Sequence, residues 1–152
     1  MPKGKCGCGA VTYSLAVEPM VVHCCHCSWC QRETGSAFAI NILVESEALS
    51  VTGETVATDR PTESGGVQTV HSCPNCGSVV WSHYGGMGDK IAFVRGGTLD
   101  DPSKCPPSVH IYTDSKQEWV ALPDAVPAYA GYYKMRDVWS DEAVNRFKAT
   151  RG

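Results

Sequence analysis

The sequence predicts a mainly β fold of one domain, held by metal as well as by burial, and three observations carry the prediction. Apolar runs are short and end at Gly, Pro, Ser or Asp, one of them alternates with a period of two, and eight of the nine cysteines fall into three tight groups. At 152 residues the chain has the length of one domain, commonly roughly 100–150 residues, so residues 1–152 are expected to share a core. With 43% hydrophobic and 19% charged residues the composition is that of a soluble globular chain.

The runs Ala10 to Ala16, Met20 to His23, Ala37 to Val44, Leu49 to Thr52, Val79 to Tyr84, Ile91 to Arg95, Val109 to Tyr112 and Trp119 to Leu122 have the lengths of strands. Phe38, Ile40, Ile42 and Val44 alternate with Ala39, Asn41 and Leu43, which puts the larger apolar set on one face. Turn chemistry separates the runs at Ser64-Gly65-Gly66, Gly85-Gly86-Met87-Gly88, Gly96-Gly97 and Asp101-Pro102. Only the C-terminal stretch reads as helical: Ser140 can cap it, Asp141 and Glu142 sit in its first turn, and Val144 and Phe147 lie three apart.

A formal charge of −3 and the lack of any Lys/Arg run leave nothing to attract a nucleic-acid backbone or an acidic membrane, so neither partner is expected. No apolar stretch follows the two N-terminal lysines, and no window approaches a membrane span, so the expected compartment is the cytoplasm. An odd number of thiols in a reducing compartment is poorly explained by disulfides. Metal ligation accounts for them better.

Cys73-Pro74-Asn75-Cys76-Gly77 is a knuckle: two residues between thiols let a tight turn grip one ion, and Gly77 supplies the unusual backbone angles just after the second ligand. A structural zinc wants four donors, so a second pair is required. Cys6-Gly7-Cys8 provides it if the segment is extended, because residues two apart then share a face. Cys6, Cys8, Cys73 and Cys76 are therefore expected to form a closed structural zinc site.

The middle group, His23-Cys24-Cys25-His26-Cys27-Ser28-Trp29-Cys30, offers up to six donors in eight positions. In an extended segment Cys25 and Cys27 share a face with His23, while Cys24 and His26 share the other. Cys30 joins Cys25 and Cys27 after a turn. Three thiolates and one exchangeable position make a reactive zinc, whereas recruitment of His23 or His26 would close the site as Cys3His. Four thiolates would also hold an iron–sulfur cluster. An open site suits reversible addition of a thiolate to a small carbonyl, with Cys25, Cys27 and Cys30 at the reactive centre. His71, His83 and His110 are acid–base candidates by residue type alone, Gly35, Ser36 and Phe38 read as a turn and strand start, Trp29 either roofs a pocket or packs beside the metal, and Cys105 reads as a free cysteine.

These motifs resemble the glutathione-dependent formaldehyde-activating enzyme (Gfa) family, which includes centromere protein V. The resemblance runs through Cys6-Gly7-Cys8-Gly9-Ala10-Val11, Cys25-His26-Cys27-Ser28-Trp29-Cys30, Thr34-Gly35-Ser36-Ala37-Phe38, the knuckle, Gly97-Thr98-Leu99-Asp100-Asp101-Pro102, His110-Ile111-Tyr112, and Trp119 to Val126-Pro127. It implies a zinc-stabilised, β-sandwich-like fold with a short C-terminal helix and two zincs per chain, one on Cys6, Cys8, Cys73 and Cys76, the other on Cys25, Cys27 and Cys30. It also implies a carbon–sulfur lyase activity, the condensation of formaldehyde with glutathione. The family's chromatin-associated branch suggests the alternative of a non-catalytic zinc module that binds a protein partner. Two features depart from the family pattern: Ser72 precedes the knuckle where relatives often carry an aromatic residue, and Cys24 adds a thiol beside the triplet.

Overall fold

The computed structural model describes residues 1–62 and 65–152; the expected turn at Ser64-Gly65-Gly66 therefore lies partly outside the described residues. Strands β1 (Lys3–Lys5), β2 (Thr12–Leu15) and β5 (Leu49–Thr52) form a small antiparallel sheet in the order β1-β2-β5. Strands β3 (Val21–Cys25), β4 (Ala39–Glu45), β6 (Val56–Pro61), β7 (Val67–Ser72), β8 (Val79–Tyr84), β9 (Ile91–Arg95) and β10 (Val109–Ile111) form a seven-stranded sheet in the order β10-β3-β4-β9-β8-β7-β6. Within it β10 runs parallel to β3, and the other pairs are antiparallel. The fold is mainly β, with two sheets and a short C-terminal helix.

Alternation along β4 decides how the layers pack. Ile40, Ile42 and Val44 join Tyr13 and Leu15 of the small sheet in one apolar cluster, while Ala39 and Leu43 join Tyr133, Trp139 and Ala143 in a second. The large sheet is thus buried on both faces, and each of these side chains removes apolar surface from water at about 25 cal/mol per Å². The second face is covered by α1 (Ser28–Thr34), α2 (Met135–Val138) and α3 (Asp141–Arg151). Ser140 caps α3 by accepting the Ala143 N–H at 3.1 Å, as its sequence implies.

Strands β1 and β7 and helix α2 lie outside the expected runs, and three further elements differ in an informative way. Trp119 to Leu122 is no strand: Trp119 stands 74% exposed in a turn that the Val120 N–H closes on Gln117 O at 3.1 Å, and Pro123 follows within four residues. Strand β6 is almost wholly exposed and terminates in Pro61 at the sheet edge, so it lacks the buried stripe that marks a strand in sequence while keeping an edge strand's polar character. Helix α1 lies beside the middle cysteines. Its N-cap is Cys27, whose sulfur accepts the Cys30 N–H at 3.3 Å, and its C-cap is Gly35 at φ 66°; a thiol in the capping position is not the usual Ser, Thr, Asp or Asn signal.

Helix α3 is tied to the sheet by Arg146, which donates from Nε and Nη2 to the two carboxylate oxygens of Glu45 at 2.8 and 2.6 Å and from Nη1 to Glu18 O at 3.0 Å. Replacement of Arg146 by Met is expected to destabilise the fold by about 1 kcal/mol, the upper range for a two-pronged pair near the surface. The loss should shrink below the carboxylate range. Arg146 holds the Glu45 pKa low, so the pair contributes above the unfolded pKa and is lost as pH falls through the folded one. Thermal unfolding of both proteins across acidic pH checks this.

Candidate metal centres

Cys6, Cys8, Cys73 and Cys76 converge with their sulfurs all within 4.8 Å of one another. Cys6 Sγ is 3.7 Å from Cys8 Sγ, and Cys8 Sγ is 3.8 Å from Cys73 Sγ. The route to this convergence differs from the expected extended strand. Strand β1 ends at Lys5, and Cys6-Gly7-Cys8 turns back so that Cys6 donates its N–H to Val11 O at 2.9 Å and Gly9 to Cys6 O at 3.2 Å. The tight turn, not the period of a strand, brings both thiols to one side. On the other arm Gly77 adopts φ 78° and donates its N–H to Cys73 O at 2.8 Å, the left-handed role expected of it. The departure at Ser72 coincides with a register shift between His71 and Ser72 where β7 leaves β8.

Donors surround these sulfurs. The Val11 N–H reaches Cys6 Sγ at 3.3 Å and holds its pKa low, Asn75 Nδ2 reaches Cys8 Sγ at 3.3 Å, and the Ser78 hydroxyl lies 3.2 Å from Cys76 Sγ and pulls that thiol down to about 5. Hydrogen bonds to the charged form favour it at Cys6 and Cys76, while Cys73, pulled down by the Cys76 N–H, is raised more by burial and by its bonds to Cys6 and Cys76; four sulfurs at this spacing suit a tetrahedral cation.

Cys25, Cys27 and Cys30 form the second convergence, on the opposite face of the large sheet. Cys25 ends β3, Cys27 caps α1, and Cys30 sits on its buried side. The three sulfurs share protons unevenly. Hydrogen bonds from Cys25 and Cys30 lower Cys27 to about 3, whereas Cys25 is raised by its bonds to Cys27 and Cys30 and by burial. Cys30 is pulled down by Cys25 but raised more by Cys27 and burial, to about 12. The mutual hydrogen bonds and burial thus favour ionisation at Cys27 over Cys25 and Cys30, and a bound cation would displace the remaining protons.

Neither flanking histidine joins the triplet. His23 shares the face of Cys25, but its Nε2 pairs with the Tyr133 hydroxyl at 2.5 Å, and burial pushes its pKa down to about 4. His26 turns to the other face and meets His110 Nδ1 through Nε2 at 2.9 Å. Cys24 lies with these two imidazoles, its thiol pushed up to about 12 by burial. The sequence's assignment of faces therefore holds through this segment.

The acid–base candidates are engaged elsewhere. His71 stacks on Trp81 with ring centroids 4.4 Å apart, His83 pairs with the Ser46 hydroxyl at 3.1 Å, and His110 pairs with His26. The groups in electrostatic reach of the triplet are ones that sequence reasoning missed. Tyr84 on β8 bonds to Cys30, and burial followed by the three thiolates raises its pKa. Tyr112 and Tyr132 are raised mainly by burial, with Cys25 contributing to both. Tyr112 is the one non-glycine residue at positive φ among the described residues, at 55°, a conformation costing a few kcal/mol at most that clusters at functional sites. Arg95, buried, donates to Asn41 Oδ1 at 2.7 Å and pairs with Glu33; burial lowers its pKa and the Cys30 and Cys25 charges raise it. A cavity of about 440 Å³ opens beside Arg95, Glu33, Thr34 and Phe38 and extends to Gly77 of the knuckle.

Trp29 does not roof the triplet by itself; its indole N–H is committed to Gln68 Oε1 at 2.9 Å. Gly35 and Ser36 form the turn that closes α1. All nine cysteines are unbridged, and Cys105 lies buried in the first apolar cluster.

The family model for the glutathione-dependent formaldehyde-activating enzyme matches residues 1–115. The chain belongs to this family. The match contains all three cysteine groups and stops before Trp119 to Pro127, and before Tyr132 and α3. A crystal structure of a Rhodobacter sphaeroides protein is similar in fold, with a TM-score of 0.51 and 22% identity over 67% of this chain and 93% of that one. No curated protein matches this Gfa-family chain. No helix among the described residues is long and apolar enough to cross a membrane.

The two convergences differ in how many sulfurs hold the ion, four against three, so acidification of zinc-loaded protein should release metal from Cys25, Cys27 and Cys30 first. Further release from Cys6, Cys8, Cys73 and Cys76 should coincide with unfolding, since structural zinc is worth about 10–16 kcal/mol in small peptides against roughly 5–15 kcal/mol for a whole domain. A colorimetric chelator followed alongside circular dichroism during a pH titration resolves the two steps; a single step with simultaneous unfolding contradicts the order.

Proposed function

We propose that this chain is a zinc-dependent enzyme of the carbon–sulfur lyase type, acting on the adduct of glutathione or a related thiol with formaldehyde or another small carbonyl. In this reading Cys6, Cys8, Cys73 and Cys76 hold a structural zinc and Cys25, Cys27 and Cys30 a reactive one, two per chain, in a cytoplasmic protein. The observation that carries it is the incomplete donor set: three thiols converge while both neighbouring imidazoles are taken by Tyr133 and His110. The family description supports the glutathione chemistry.

A bound zinc supplies stabilisation of thiolate charge, so that an incoming thiol is ionised at neutral pH. The chain's own groups complete the reaction. Attack of the substrate sulfur on the carbonyl carbon forms the C–S bond, and the C=O electron pair moves to oxygen, which takes a proton. Tyr112 and Tyr132 are the donors in reach, and their raised pKa values keep them protonated at neutral pH. The phenol then recovers the proton lost by the thiol, directly or through solvent, and the reverse sequence cleaves the adduct. Tyr84, donating to Cys30, fixes that sulfur in place. The buried Arg95–Glu33 pair stands at the wall of the cavity beside α1 and holds that wall in place.

Cys27→Ser should leave the fold intact by circular dichroism, remove one zinc per chain and abolish turnover of formaldehyde with glutathione. Full activity in that variant disproves the site assignment, and an inactive wild type that binds both zincs favours the non-catalytic module. Tyr132→Phe is expected to lower kcat about 100-fold with little change in KM, within the usual range for loss of a proton donor; steady-state kinetics by NMR exchange measures it.

A further inference from the structure

Cys24 and His26 are left over by both cysteine convergences, and the fold does not leave them idle. They are two apart on the extended end of β3 and so share a face, and the parallel register sets His110 of β10 directly beside Cys24. One donor atom from each of Cys24, His26 and His110 lies within 4.8 Å of the others. All three are buried, at 1%, 0% and 7% exposure.

From this we infer a third metal site, formed by Cys24, His26 and His110, on the sheet face opposite Cys25, Cys27 and Cys30. The polar inventory of the cluster supports a ligand. The two imidazoles meet at 2.9 Å through His26 Nε2 and His110 Nδ1, which requires one ring to carry the proton and the other the lone pair. His26 Nδ1 is left buried with no hydrogen-bond partner, a deficit that protein interiors rarely tolerate. A cation taken up by the Cys24 thiolate and one nitrogen of each imidazole turns three buried polar side chains into ligands, and at His26 Nδ1 it supplies the partner that atom lacks.

Donor chemistry narrows the ion. One thiolate and two imidazoles suit the soft to borderline late transition metals, not calcium or magnesium. With one anionic ligand, zinc leaves a net positive charge in a buried place, whereas copper(I) leaves none and is satisfied by three donors; burying uncompensated charge is costly. The ion class is therefore that of zinc and copper(I), with copper(I) the better match.

The test exploits the ligand types. Both other convergences are built of sulfur alone, so imidazole coordination reports this site specifically. The full chain is saturated with zinc, then titrated with copper(I), and examined by metal analysis and by X-ray absorption at both edges. Wild type should bind one ion more per chain than Cys24→Val, with imidazole scattering that the variant loses; His110→Gln, checked for folding by circular dichroism, should behave alike. Equal metal content in wild type and both folded variants, or imidazole scattering that survives Cys24→Val, overturns the site. In the first case His26 and His110 are only a hydrogen-bonded pair, and in the second an imidazole belongs to the Cys25, Cys27 and Cys30 group.

Discussion

The strict alternation of β3 is the constraint on which this protein turns. A strand points successive side chains to opposite faces, and β3 stays extended as far as Cys25 between β4 and β10. His23 and Cys25 are thereby committed to one side of the sheet and Cys24 and His26 to the other. A slip of one residue would exchange the two sets. Pairing on both edges, antiparallel to β4 and parallel to β10, resists that slip, because every buried side chain of β3 would then have to change layers.

The face that carries Cys25, Cys27 and Cys30 is assembled at some cost in buried polarity. Arg95 and Asn41 lie under α1 and pair with each other, and Arg95 also pairs with Glu33 of the helix itself, where an unpaired charge would cost several kcal/mol; Gln68 adds a bond to Ser82 at 3.1 Å and accepts the Trp29 indole. These contacts fix the position of a seven-residue helix that is too short to be stable by itself. Since Cys27 caps that helix and Cys30 lies within it, the polar layer beneath α1 also sets the spacing of the thiols. Packing and metal geometry are here the same problem.

Much of this was legible in the sequence, for identifiable reasons. The knuckle, the alternation of β4 and the division of His23 to Cys27 between two faces each rest on short-range geometry that a sequence displays directly. What escaped it depends on partners far along the chain. Strand β6 has no buried stripe because its place is at an edge; α1 has a sulfur where a hydroxyl or carboxylate is the recognised cap; and His110 acquires meaning only when the register of β10 sets it beside Cys24. Of the tyrosines near the triplet only Tyr112 lay in a motif, and the motif gave it no role. Tyr84, Tyr112 and Tyr132 arrive from separate elements, and only the closed fold brings them within electrostatic reach of the thiols.

The match to the family ends at residue 115, whereas Tyr132 and two of the helices that cover the second face, α2 and α3, follow it. The thiols thus come from one stretch of chain and part of the wall around them from another, joined by the pairing of His110 with residues 127 to 129 through backbone hydrogen bonds of 2.9 Å. Such a division makes the two separable under mutation. The wall can be resized, stiffened or made more polar without disturbing a single sulfur, so the constellation of thiols stays constant while the shape of the space beside it is free to drift.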